Sequence, residues 1–178
     1  MAPPLLTVGH GSATAEGFGA LLRAAGVMRL VDIRRYPGSR AHPHFGREAL
    51  AGWLPAAGVD YRWEERMGGR RRLVPGATDN WWQVAAFAAY AAHMRTAEFT
   101  DAAAELARDV EAASTAVMCS ESLWWRCHRR LVADYFVLVQ QTRVSHLGHD
   151  GRLTDHRGAE GARLADGELR YDLAPTMG

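Results

Sequence analysis

The chain has 178 residues, 48% hydrophobic and 23% charged, which supplies one buried core and is too apolar for a disordered polypeptide. Its formal net charge of +1 excludes the strong overall field of a general nucleic-acid binder and leaves local basic patches as the electrostatic signal. All 21 basic residues are Arg, a usage that GC-rich codon bias explains as readily as anion chemistry does.

The amino terminus lacks the positive flank and long apolar run of a signal peptide or membrane span, so a cytoplasmic protein is expected. Two cysteines in a C-x7-C spacing do not make a zinc knuckle and read as free thiols in a reducing compartment.

Leu5 to Gly9 is an apolar run closed by Gly9-His10-Gly11-Ser12, and Thr14 is the N-cap of a helix carrying Phe18, Leu21 and Leu22 up to Gly26. Val27 to Ile33 gives a second strand, followed by a long loop from Arg34 to Gly46 with Pro37, Gly38, Ser39 and Pro43. A helix over Glu48 to Ala57, ended by Gly58, leads to a third strand over Val59 to Trp63. An irregular basic segment from Met67 to Gly76 precedes helices over Trp81 to Arg95 and Glu98 to Ala113, with Thr96 as the cap between them. Ser114 to Cys119 is a buried strand, Trp125 to Gln141 an amphipathic helix, and Arg143 to Leu147 a last strand. The tail from Gly148 to Gly178 is polar, with a hairpin signal at Asp166-Gly167.

Strands alternating with helices predict a single Rossmann-like three-layer α/β domain, residues 1–178, around a mostly parallel sheet of about five strands. Reactive side chains then belong at the carboxyl edge of that sheet.

The densest set of them is Cys119, Glu121, Cys127, His128 and Arg129, directly after the fourth strand. Glu121 is the candidate acid or base. Cys119 reads either as a nucleophile, its thiolate favoured by nearby guanidinium groups and a helix N-terminus, or as a small core hydrophobe. Cys127 shares a helical face with Leu131 and Leu138 and reads as core. Adjacent helical residues point about 100° apart, which argues against Cys127 and His128 sharing a metal, so no metal site is expected and no cofactor is named.

At the other strand ends, Gly9, His10 and Gly11 offer backbone amides to an anion, or form an ordinary tight turn, and His10 is a candidate acid or base. Asp32 is placed to orient Arg34, leaving Arg40 and its neighbours to hold an anionic ligand. Trp125 beside Arg126 pairs a stacking surface with a cation, which suits a nucleobase or single-stranded nucleic acid.

Thr7-Val8-Gly9-His10, Asp32-Ile33-Arg34 with Pro37, Ser39 and Arg40, Gly68-Gly69-Arg70, and Cys119, Glu121, Cys127, His128 and Arg129 occur here in one order. That set resembles the bacterial "domain of unknown function 488" family over residues 5 to 147, with Gly11 where Ser is usual and Met67 where Leu is usual. The resemblance implies a compact α/β fold and a bacterial cytoplasmic protein, and carries no activity with it.

Three functions follow as expectations. The first is an enzyme acting on a small anionic or nucleotide-like substrate by hydrolysis or group transfer, with Glu121 and His10 as acid/base groups, Cys119 as nucleophile, Asp32 in support, and Gly9, Gly11, Arg34, Arg40, His128, Arg129 and Trp125 as binding residues. The second is a module that binds a nucleotide or nucleic acid without turnover. The third is a redox protein using Cys119 and Cys127.

Overall fold

The structure, a computed structural model, describes residues 1–172; residues 173–178 of the expected C-terminal extension lie outside them. The chain forms β1 (Leu5–Gly9), α1 (Ala15–Ala24), β2 (Arg29–Asp32), α2 (Arg47–Trp53) and β3 (Asp60–Trp63), then α3 (Ala85–His93), α4 (Ala97–Ala112), β4 (Thr115–Cys119), α5 (Arg129–Leu138) and β5 (Val144–Leu147). Three short strands follow in the tail, β6 (Leu153–Asp155), β7 (Arg163–Ala165) and β8 (Glu168–Arg170). Thr14 and Thr96 accept the amides of Gly17 and Phe99 and so cap α1 and α4, each a contribution of about 1 kcal/mol.

The main sheet has the order β3-β2-β4-β1-β5-β6, parallel throughout except for β6, which runs antiparallel to β5. The expected three-layer, mostly parallel α/β fold is therefore present, with six strands rather than about five; the sixth is supplied by the polar tail. Successive strand residues serve opposite layers. Leu6, Val8, Leu30 and Met118 pack with Phe18, Leu22 and Leu50 of α1 and α2. Leu5, Val31 and Val117 pack with Phe99, Leu106, Leu131 and Phe136 of α4 and α5.

This division places the site. The connections leaving β1 and β2 carry α1 and α2 over one face, whereas the connection leaving β4, which lies between them, carries α5 over the other. Neighbouring strands whose connections part in this way leave a crevice beyond their carboxyl ends. Gly9, Asp32 and Cys119 all end strands at that edge.

Two expected helices start later than the apolar pattern indicates. The helix expected from Trp81 begins at Ala85, because Trp81 N-H donates to the Tyr171 carbonyl (2.9 Å) and Trp82 N-H to that of Asp79. The helix expected from Trp125 begins at Arg129, after a 3-10 turn over Trp124–Arg126 and an extended Cys127 at φ −126°, ψ 155°. The hairpin expected at Asp166-Gly167 joins β7 to β8, with positive φ at both turn residues (54° and 79°), the geometry that suits the twist of paired strands. Among the described residues no helix is long and apolar enough to cross a membrane.

Candidate functional site

A cavity of about 690 Å³ opens over the carboxyl ends of β1, β2 and β4. Four arginines, Arg34, Arg35, Arg70 and Arg126, line it together with His10, His128, Cys119 and Cys127, and Glu121 is its carboxylate. Guanidinium groups thus outnumber carboxylates along its wall.

Gly9 and Gly11 permit the walls to close. A β-carbon on Gly9 would lie 1.7 Å from the Glu121 carbonyl oxygen and 2.9 Å from Arg129 Nη2, and one on Gly11, at φ +53°, would lie 2.2 Å from Ser122 Oγ. The backbone amides expected to be open to an anion are committed instead. His10 N-H donates to the Cys119 carbonyl and Gly11 N-H to that of Ser120, because the pairing of β1 with β4 continues past the strand ends. Gly11 and Ser12 form part of the cavity wall, whereas Gly9 lies behind it, where its carbonyl meets His149 Nε2.

His10 has one tautomer that satisfies its contacts: Nδ1-H donates to the Gly11 carbonyl (2.8 Å) and Nε2 faces Arg34 Nη1 (3.4 Å), while the ring stacks on Phe45. Burial pulls its pKa from 6.5 down to about 4, and the Arg34 cation adds to this. The unfolded chain therefore binds a proton between pH 6.5 and 4 that the folded chain refuses. Stability is highest above pH 6.5 and drains as the pH falls toward 4. We expect denaturant midpoints to drop between pH 7 and pH 4.5, and to drop less in His10→Asn, whose amide retains the bond to Gly11.

Asp32 is fully buried and orients Arg34, accepting Nε (2.8 Å) and Nη2 (2.6 Å) from it and the Tyr61 hydroxyl (2.6 Å) as well. It stands behind the cavity wall, and Arg34 is the group it presents there. Arg40 is exposed on the loop after β2 and does not line the cavity. Trp125 is 48% exposed and also stays outside, since the 3-10 turn directs its neighbour Trp124 inward onto His146 and leaves Trp125 packed only edge-on against Trp124.

The thiols occupy the floor, on either side of Arg129. That guanidinium is 1% exposed and donates through Nε to Cys119 Sγ (2.9 Å), through Nη1 to Thr7 Oγ1 (3.2 Å), and through Nη2 to the carbonyls of Glu121 (2.5 Å) and Ser122 (3.3 Å). None of these is a carboxylate. A buried cation calls for a counter-charge, and the sulfurs beside it are the groups able to provide one.

Cys127 is the thiol so favoured. Its Sγ accepts the Arg129 amide (3.5 Å) and lies 3.5 Å from His128 Nδ1, and the Cys119 thiol and Arg129 guanidinium draw its pKa down against the effect of burial. Burial and the neighbouring Cys127 push the Cys119 thiol well up. The sequence left Cys119 open between nucleophile and core hydrophobe and read Cys127 as helical core; in the structure both thiols line the cavity. Cys127 is extended rather than helical, and its Sγ lies within reach of the His128 ring. His128 Nε2-H donates to the Ile33 carbonyl (2.8 Å), which leaves Nδ1 unprotonated toward the sulfur. Burial lowers the His128 pKa and keeps the ring neutral.

Glu121 is exposed and belongs to the cavity lining, and its carbonyl holds Arg129. Tyr36, 60% exposed, forms another part of the wall, with Arg35 and Arg70 over its ring at 5.5 and 5.9 Å. Among the described residues no group of three His, Cys, Asp or Glu side chains is arranged to hold a metal ion.

The profile of the family described as "Domain of unknown function DUF488" matches residues 14–136 of the chain. The chain belongs to this family. The DUF488 match takes in Asp32, Arg34, the Gly68-Gly69-Arg70 turn and the whole of Cys119 to Arg129, and so most of the cavity; Thr7 to His10 and everything after α5 fall outside it. No curated protein and no solved structure matches the chain.

Tyr36 and Arg70 escaped the sequence reading as ligand-binding residues, whereas Arg35 and Arg126 were read as cations near the site. Arg126 was counted into a helix, and a basic loop such as 70–72 ordinarily reads as solvated.

Proposed function

We propose that this protein is a cytoplasmic enzyme that acts on a small anionic substrate through a covalent intermediate on Cys127, with Glu121 as acid and base. The observation that carries the reading is the Cys127-His128 pair on the cavity floor: a nucleophile, a neutral base 3.5 Å away and a backbone carbonyl that orients the base, backed by a buried guanidinium. Arg34, Arg35, Arg70 and Arg126 hold the anion. His128 Nδ1 takes the thiol proton, and the sulfur attacks the electrophilic carbon or phosphorus centre. A bond from sulfur to that centre forms, the bond to the leaving group breaks, and the departing atom takes a proton from Glu121. Water then attacks the intermediate, gives its proton to the Glu121 carboxylate and releases the thiolate. Tyr36, flat, exposed and flanked by two guanidinium groups, supports a nucleotide-like member of the anion class.

The test is alkylation of the full chain by iodoacetamide, with and without inorganic phosphate. Cys127 is expected to label faster than a free cysteine at pH 7, and phosphate to slow it. Labelling no faster than free cysteine, together with no protection, would overturn the reading. Once a turned-over ester is found, Glu121→Gln is expected to lower kcat by about 10²–10⁴ with little change in phosphate protection.

One observation favours a redox reading as the second: both thiols line one cavity and both accept a hydrogen bond from Arg129. With a peroxide as oxidant, both thiols give up their hydrogens, the disulfide forms and the peroxide leaves as water. Intact mass before and after peroxide and then reductant decides it, since a reversible loss of two hydrogens is expected only here.

A further inference from the structure

Beneath the thiols runs a second line of buried polar groups that the reaction above does not use. Arg129 Nη1 donates to Thr7 Oγ1 (3.2 Å), Thr7 Oγ1 lies 2.6 Å from His146 Nδ1, His146 Nε2 lies 2.9 Å from His156 Nδ1, and His156 Nε2 lies 2.7 Å from Asp134 Oδ1. Asp134, with no exposed surface, also accepts the Tyr171 hydroxyl (2.7 Å) and the Ala159 amide (3.2 Å). Trp124 covers the line by stacking on His146, rings parallel within 3°.

The proton positions along this line follow from its two ends. A carboxylate accepts only, so His156 must donate from Nε2; neutral, it then accepts at Nδ1 from His146 Nε2-H. His146 in turn accepts at Nδ1, which obliges the Thr7 hydroxyl to donate to it and leaves the oxygen lone pairs of Thr7 directed at Arg129. Burial, with His156 and Arg129 adding to it, pulls the His146 pKa from 6.5 down to about 3, which fits the neutral ring this order requires. Every bond points from cation to anion.

We infer that Thr7, His146, His156 and Asp134 are positioning residues that fix Arg129 against Cys119 and Cys127, and that the segment following β5 is thereby a working part of the thiol site. None of the four lines the cavity, so they act only through Arg129. The segment after β5 contributes His156, along with the Ala159 amide and Tyr171 hydroxyl that hold Asp134. The inference rests on the thiol site proposed above. The groups facing Cys127 are Cys119 from β4, His128 and Arg129 beside it, Tyr90 from α3, and more distantly Arg71 through His128. Of these, Arg129 is the one the line holds.

The test is the pH profile of Cys127 alkylation by iodoacetamide in the full chain, wild type against Thr7→Val and Thr7→Ser, each checked for a cooperative unfolding transition. Val keeps the shape of Thr and removes its hydroxyl; Ser keeps the hydroxyl. The expected result is a midpoint about one pH unit higher in Thr7→Val, which makes the reaction about fivefold slower at pH 7, with Thr7→Ser within twofold of wild type. Thr7→Val matching wild type would overturn the inference, as would Ser and Val shifting alike. If Thr7→Val does not fold, His156→Gln against His156→Ala gives the same comparison, Gln retaining a donor toward Asp134. An ordinary free-cysteine profile in the wild type would overturn the nucleophile proposal instead, while the Thr7 pair would still read the line by its own difference.

Discussion

Cys127→Ser is expected to abolish rapid alkylation at neutral pH and to lower turnover by at least about 10³-fold, while Cys119→Ser keeps the rapid phase. The contrast follows from what surrounds each sulfur. Cys127 Sγ receives the Arg129 amide, and the His128 imidazole turns toward it the bare Nδ1 that can take its proton. Cys119 Sγ is deeper, receives Arg129 Nε and lies 3.7 Å from the Glu121 carbonyl, an acceptor that a thiol satisfies and a thiolate does not. A serine at 119 retains a donor for the Glu121 carbonyl. Peptide mapping after a brief exposure to iodoacetamide assigns the rapid phase to one residue, and a rapid phase that survives Cys127→Ser would remove that residue from the mechanism.

Asp32→Ala is expected to cost about 3–5 kcal/mol of folding stability, read as a drop in the urea midpoint at constant slope. The carboxylate has no exposed surface and takes two bonds from the Arg34 guanidinium, one from the Arg34 amide and one from Tyr61, so its removal strands a nearly buried guanidinium. Tyr61→Phe deletes one of those bonds and leaves the ion pair, and is expected to cost about 1 kcal/mol. Phosphate protection of Cys127 should weaken in Asp32→Ala even where the protein remains folded, because Arg34 loses its orientation. An Asp32→Ala midpoint close to that of Tyr61→Phe would mean that Arg34 finds another partner.

The strand-helix alternation, the two threonine caps and the Asp166-Gly167 hairpin were legible in the sequence because each depends on neighbours within a few positions. The start of the last long helix was not: Trp124 to Cys127 carry no Pro or Gly, and tertiary contacts of Trp124 and Arg129 convert what reads as a first helical turn into a 3-10 turn and an extended residue. That shift of a few residues separates Cys127 as core from Cys127 as nucleophile candidate, and it removes Trp125 from the site. The strand ends converge as the alternation implied, yet the committed amides at His10 and Gly11 depend on β4 lying beside β1, an ordering that no local pattern encodes. Asp134 did leave a trace, a lone carboxylate within the apolar run Val132-Ala133-Asp134-Tyr135-Phe136. Its partners could not be read, because they come from β5 and the polar tail.

The insertion of β4 between β1 and β2 also sets a sequence of events during folding. Those two outer neighbours form early in the chain and stay unpaired with each other, so the sheet closes only when a strand made much later enters the gap, a slow, non-local step. Until it does, Arg129 and Thr7 are apart, and both sulfurs behave as ordinary thiols. On the thiol mechanism proposed above, a half-made chain would carry no activated nucleophile, and reactivity toward electrophiles would emerge together with the finished architecture.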